Sequence, residues 1–317
     1  DVVPLRTAPG PAHSGHDRPP FVGRCHELAQ LEQHRQGVGP PLLLIAGEPG
    51  MGKSRLLHEA AQRATAAGWR VLDGGCQRRG GQEPYAPLMA ALEGHIQHRS
   101  VTQLRTELHG CAWLVRLLPE LMDGPIESLP AWTVAPEQER RLMTRAVARF
   151  LANVAGPAGT LLVLDDLQWA GADAIDVLAA LLRSAAEVPL RLVGAYRNTE
   201  VQPRDPLAVM LADQAHAGLL RHHTLAPLTA DEVSQLLDVL LEGADGDRSV
   251  LRERVSRRAG GVPFFVVSCA QGLRLNTAGH DSEDDVPWNI AHSIRQRVAA
   301  LPQAVQEVLA AAAVVGR

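Results

Sequence analysis

Residues 47–54 read Gly-Glu-Pro-Gly-Met-Gly-Lys-Ser and satisfy G-x-x-x-x-G-K-[ST] at every fixed position. What stands on either side makes this stretch the strongest constraint on the fold. Before it runs "PLLLIAG", a continuous apolar run bounded by Pro40-Pro41 and Gly47, the signature of a strand buried on both faces. After it the pattern predicts a helix from about Lys53 to Ala67, stopped at Gly68, and then a short strand in "WRVLDG". Strand, glycine loop, helix and strand in that order open a parallel α/β sheet. A glycine turn that merely happened to precede a helix would lack the buried strand in front of it.

In such a loop the glycines let the backbone curl until successive N–H groups face one phosphate group. The following helix adds its positive dipole end. Gly47, Glu48, Pro49, Gly50, Met51, Gly52, Lys53, Ser54 and Arg55 are therefore the candidate nucleotide-binding residues. Lys53 would reach the β and γ phosphates and Ser54 would offer its hydroxyl to Mg²⁺. Of the 31 lysines and arginines, Lys53 is the sole lysine. Arginine serves as well as lysine on a solvated surface, but a tight phosphate loop needs a compact ammonium on a thin stem.

A second apolar strand, "LLVLDDLQW", ends in Asp165 and Asp166. Ligands of open α/β sheets sit beyond the carboxyl ends of the strands, which would put Asp165 beside the loop as a Mg²⁺ partner. Asp166 is suited to orienting or deprotonating an attacking water. A strand-ending Asp can also simply cap the next helix, and tight binding with slow turnover needs only Asp165. Arg197 ends a third such strand in "LVGAYRN", where it could contact a γ-phosphate or be a solvated strand-end charge.

Composition excludes more than it proposes. A formal charge of −4 gives no bulk attraction to phosphate backbones or anionic membranes. Cys25, Cys76, Cys111 and Cys269 are scattered and form no CxxC pair, which points to reduced thiols in a cytoplasmic protein. "HEAAQ" lacks the second His of a zinc helix and "HIQH" (His95, His98) has no third ligand nearby, so these read as surface histidines. No apolar run approaches the length of a membrane span.

Along the chain, residues 1–18 read as a flexible leader without the features of a signal peptide, and the missing initiator Met suggests a piece of something longer. A nucleotide-binding α/β domain is expected over 19–222, with a helical insertion at about 84–140 punctuated by prolines. Its closing helix, "EQERRLMTRAVARFLANVA", places Leu142, Ala146, Phe150 and Val154 on one stripe. Beyond Arg221 the chain reads as mostly helical: a helical subdomain over 223–276 with Thr229 as an N-cap, a linker at 277–285, and a final helical segment at 286–317.

Taken together, "FVGR…EL", "GEPGMGKS", "PYAPLMAAL", "LLVLDDLQWA", "GAYRNTEV", "LAPLTADEVSQLL", "GGVPFFV" and "LPQAVQEVLAAAAVVGR" resemble STAND-class P-loop ATPases. Within that class they are most similar to the ATPase module of large ATP-binding LuxR-type transcription regulators. The resemblance spans roughly Phe21 to Arg317. It implies a P-loop NTPase fold with a five-stranded parallel sheet flanked by helices, a helical lid, and the start of a winged helix. It further implies that Val22, Gly23 and Arg24 cradle the adenine and ribose, that Pro263 closes over the base, and that Arg197 senses the γ-phosphate. Three departures from the family stand out: Cys25 replaces a usual Glu, Gly171 a usual Asp, and Val267-Ser268 usual acidic residues.

The function this implies is a regulatory switch that binds ATP or ADP with Mg²⁺, hydrolyses ATP slowly, and self-associates in its ATP form. DNA would be reached only through an output domain that this chain does not contain. Rival readings attach the same module to a nucleotide cyclase or protein kinase, or make it a P-loop small-molecule kinase whose lid arginines would include Arg254, Arg257 and Arg258. A scaffold that binds no nucleotide is a further rival.

Overall fold

Strand β1 (Leu42–Ala46) is buried at every position. A segment with no polar residue can satisfy its backbone only by pairing on both edges inside a covered sheet. It pairs in parallel with β4 (Leu190–Tyr196) on one side and β5 (Leu220–Thr224) on the other. β3 (Thr160–Asp165) joins β4, and β2 (Arg70–Gly75) joins β3, giving the order β2-β3-β4-β1-β5 with every pair parallel. Leu44 lies opposite Gly194, Ala46 opposite Tyr196, and Gly75 opposite Asp165, so the strands finish level at one end. This is the computed structural model of the chain; it describes residues 21–76, 84–129, 133–155, 158–184, 190–242 and 259–276, with 252, 253, 255, 256, 291, 295, 298, 301 and 303–315. The expected leader (1–18) and linker (277–285), as well as Arg254, Arg257 and Arg258, lie outside these residues.

Side chains alternate between the two faces of the sheet. Leu42, Leu44, Leu72, Leu162, Leu164 and Leu192 join one large core with residues of α3 (Ala86–Ile96), α5 (Pro136–Asn153), α6 (Ala172–Ser184) and α7 (Pro206–His216). Leu43, Ile45, Leu161, Val163 and Val193, one residue out of phase, are equally buried. α2 (Lys53–Ala66) packs on β2, β3 and β4, and α1 (Cys25–Arg35) packs on α2. α4 (Val101–Glu107), opened by a Ser100 capping box, and two 3₁₀ turns complete the helical insertion.

Three sequence expectations change. The fifth strand is β5, in a stretch read as the beginning of the helical region. Its Leu-Arg-His-His-Thr is half-buried or exposed throughout, because an edge strand needs no continuous apolar run. In α5 the expected Ala146, Phe150 and Val154 are buried, but Leu142 is only half-buried, and the buried face also takes in Met143, Val147 and Leu151. The face is wider than one stripe because α5 packs against α4, α6 and the first 3₁₀ turn. Finally, His95 is not a surface histidine: its side chain is 6% exposed and bonds Glu107 at 3.0 Å.

The chain divides into two compact units, one of them Arg24–Pro227. The other gathers residues 21–23 with those from Leu228 onward. In it, α8 (Ala230–Leu240) starts from a capping box in which Thr229 accepts from the Glu232 N–H and Glu232 accepts from that of Thr229. Val233, Leu236, Leu237 and Leu240 of α8 pack with Val266 and Ala270 of α9 (Pro263–Asn276), and Val22 lies against this core. The last described helix is α10 (Gln303–Val315).

Candidate functional site

Between β1 and α2 the loop Gly47–Gly52 turns through two left-handed glycines, Gly50 at φ 86° and Gly52 at φ 88°. Any other residue would be strained there. Gly52 is the N-cap of α2, so the free N–H groups of the first helical turn face out of the loop. Lys53 is 6% exposed, and its ammonium donates to the carbonyls of Gly47 (2.8 Å) and Glu48 (3.0 Å). The side chain thus curls back over its own loop and holds it closed. Met51 is buried beneath, while Ser54 and Glu48 face solvent and Pro49, Gly50, Gly52 and Arg55 are half-buried.

The loop is also braced from outside. Arg24, itself left-handed and 6% exposed, donates to the Met51 carbonyl at 3.2 Å and pairs with Glu27 at 3.1 Å. Val22 and Gly23 belong to the other compact unit, as does Pro263, the first residue of α9.

At the tip of β3, the Asp165 carboxylate lies near enough to the Ser54 hydroxyl to feel it. Burial pushes the Asp165 carboxyl up from the usual aspartate value, with Asp166 adding to the shift and Ser54 and Lys53 opposing it. Asp73 on β2 is raised too, first by burial and then by the charge of Asp165. Burial draws Lys53 downward, seconded by Arg197 and countered by Asp165 and Asp166. A pocket that holds carboxylates above and an ammonium below their ordinary values has charges under-solvated and ready for a ligand of the complementary kind. Cys76, buried at the end of β2, is pushed to about 12 by burial and these same two aspartates, so it stays a thiol.

Asp166 has left-handed backbone (φ 53°) and is followed by a 3₁₀ turn, Leu167–Trp169. It meets Arg197, just past the end of β4, at 3.3 Å. Arg197 also pairs with Glu200 at 2.9 Å and lies 4.6 Å from the centre of the Trp169 ring, whose N–H donates to Glu200. The strand tips thus bring together Lys53, Ser54, Asp165, Asp166 and Arg197. They also add Gln168, Trp169 and Glu200, which sequence reading passed over. The first two lie within three residues of the acidic pair, a position that could have drawn notice; Glu200 had no such signal.

A parallel sheet in which an interior strand feeds a glycine loop and helix, with an acidic strand tip at the same end, defines the P-loop nucleotide-binding class. Within that class, residues 20–193, more than half of the chain, match the family described as AAA ATPase domain, and the chain belongs to it. An uncharacterized protein of Rhizobium meliloti (strain 1021) is 26% identical over 273 residues, which are 81% of this chain and 25% of that protein. The chain therefore spans about a quarter of the length of this curated relative. Among solved structures, a STAND protein with a tetratricopeptide repeat sensor from Pyrococcus horikoshii aligns with 14% identity and a TM-score of 0.44, over 89% of this chain and 33% of that one. AMPPCP-bound DnaA from Aquifex aeolicus aligns with 15% identity and a TM-score of 0.45, over 82% and 63%. No helix among the described residues is long and apolar enough to cross a membrane.

Proposed function

We propose that the chain is the ATP-hydrolysing switch of a signal-responsive transcription regulator, with ATP or ADP and Mg²⁺ bound at the strand tips. The observation that carries this is the glycine loop closed by Lys53 at the same sheet end as the half-buried Asp165 carboxylate, with the Ser54 hydroxyl nearby. Hard oxygen donors in that arrangement fit Mg²⁺. A divalent cation there would neutralise phosphate charge.

The chain's own groups then divide the work. The loop N–H groups and the start of α2 receive the phosphates. Lys53, released from the Gly47 and Glu48 carbonyls, offers its ammonium to the β and γ phosphates. Asp166 holds the attacking water and takes its proton, and Arg197 meets the γ-phosphate. Arg197 is paired with Asp166 and Glu200, so engaging a phosphate exchanges one partner for another, and the exchange can bias a two-state element.

From the sequence resemblance come the finer parts of the reading. These are the base contacts of Val22, Gly23, Arg24 and Pro263, the lid role of the helical unit, the winged helix over 286–317 and self-association in the ATP form; a cytoplasmic location follows instead from the scattered, unpaired cysteines. Calorimetric titration with ATP and Mg²⁺, with Lys53→Ala as control, tests the nucleotide site. The wild type should bind and the variant should bind far more weakly, and heat-silent wild-type protein would refute the proposal. Sedimentation with ADP and with a non-hydrolysable ATP analogue tests the switch: one unchanged mass in both would remove self-association from it.

A further inference from the structure

Gln168 lies in the turn between two named site residues and contacts both ends of the strand-tip cluster. Its side-chain N–H donates to Asp166 Oδ1 at 2.8 Å, and its side-chain oxygen accepts the backbone N–H of Arg197 at 3.0 Å. Each half of one amide is thus used, and the two halves face different strands: Asp166 follows β3 and Arg197 follows β4. The Arg197 side chain also reaches Oδ1 of Asp166, at 3.3 Å. Both donors therefore use the same carboxylate oxygen, which turns Oδ2 toward the remaining task of holding a water.

The turn that carries Gln168 is itself pinned. Leu167 is 1% exposed, and a Cβ placed on Gly194 would stand 2.7 Å from its Cδ1, so the absence of a side chain in β4 makes room for Leu167. Trp169 N–H returns to the Asp166 carbonyl at 3.1 Å and closes the turn. Asp166 is held in left-handed backbone within this frame. A carboxylate on so short a turn has few anchors of its own. Without the amide, the Arg197 side chain would be the one remaining side-chain partner described for this carboxylate.

We infer that Gln168 is a positioning residue for ATP hydrolysis, its amide fixing the Asp166 carboxylate relative to the tip of β4 so that the carboxylate keeps its aim when Arg197 turns to the γ-phosphate. This deepens the proposed function and rests on its assignment of Asp166 as the base. The physical reason is that proton abstraction tolerates little misplacement: about 1 Å can cost on the order of 100-fold in rate.

The test compares Gln168→Met, which keeps the length and loses both hydrogen bonds, with Gln168→Glu, which keeps the acceptor for Arg197 and loses the donor to Asp166. Turnover and nucleotide affinity are measured separately on the full chain, with Asp166→Asn as benchmark. Both variants should bind ATP with Mg²⁺ within about twofold of wild type and lose turnover by roughly 10- to 100-fold. The double variant Asp166→Asn/Gln168→Met should be no slower than Asp166→Asn alone, because the amide would have nothing left to aim. Multiplicative losses in the double variant, or wild-type turnover in Gln168→Met, would overturn the inference while leaving the ATPase reading intact. Wild-type protein that binds ATP without turnover would overturn the hydrolytic reading and this inference together.

Discussion

The phosphate loop and the strand-tip cluster lie at the same end of one sheet, yet they are built in opposite ways. The loop is written in eight consecutive residues, and its main contacts are internal: Lys53 closes onto Gly47 and Glu48, and Gly50 and Gly52 supply the turns. The cluster is assembled from two segments about thirty residues apart, Asp166–Trp169 and Arg197–Glu200, which meet only because β3 and β4 are neighbours in register. A locally encoded element should fail through its own residues. A tertiary one should fail through its supports as well.

The largest effect is expected in the loop. Lys53→Ala removes a charged donor to the phosphates and should weaken ATP binding by about 2–3 kcal/mol, roughly 30- to 150-fold. Lys53→Arg should be nearly as damaging, because the planar fork does not fit where the ammonium sits between two carbonyls. Normal affinity in the Arg variant, read by calorimetry, would break the view that the loop's geometry chose lysine.

Next comes Asp165, where the two regions touch. Asp165→Asn should lower Mg²⁺-dependent nucleotide affinity by roughly tenfold or more while raising the thermal stability of the ligand-free protein at neutral pH. The native carboxyl titrates above the ordinary value of 3.8 because it is buried. Between those two values the folded chain holds a proton that the unfolded chain has released. Stability therefore falls as pH rises through that window, and the lost stability stays lost at neutral pH. The amide variant should abolish this contribution, and melting curves from pH 4 to 8 in both proteins check it. A variant less stable than wild type at pH 7 would mean that the favourable influence of Ser54 and Lys53 on the carboxylate outweighs burial.

Gly194→Ala probes the support under the cluster. The new methyl would meet Leu44 Cδ2 at 2.6 Å and Leu167 Cδ1 at 2.7 Å. Overpacking of this kind costs about 1–3 kcal/mol, measurable by urea unfolding. Turnover should fall with nucleotide affinity held within about threefold, since the loop does not depend on the Leu167 turn. Equal losses in both would show that loop and cluster are one unit. Smallest is Trp169→Leu, which removes the stacked ring from Arg197 and should change turnover by about two- to fivefold, the size of an exposed cation–π contact.

Much of the site could be read without coordinates for the same reason that the loop is robust. G-x-x-x-x-G-K-[ST] between a buried run and a helix leaves one reading, and Asp165 follows from an apolar strand that must end beside it. Four of the five strands carry continuous Leu, Val or Ile runs or a short apolar core, while β5 carries Arg, His and His. An edge strand is defined by its neighbour's unpaired backbone rather than by its own composition, so β5 escaped notice. Arg24 was read as a base contact through resemblance; the fold places its guanidinium on the Met51 carbonyl, a bond spanning 27 residues that no local pattern announces.

By itself, then, the sequence determined the α/β class, the phosphate loop, the single lysine within it and the acidic tip of β3. Each of these is specified by backbone conformation or by hydrophobic period over a few consecutive residues. Only the tertiary structure decided what those residues touch. It gave Asp166 to Arg197 and Gln168, seated Leu167 over Gly194, and buried His95 against Glu107. Side-chain hydrogen bonds act over about 3 Å. They therefore depend on strand order and register, which the chain fixes only when its distant segments pack.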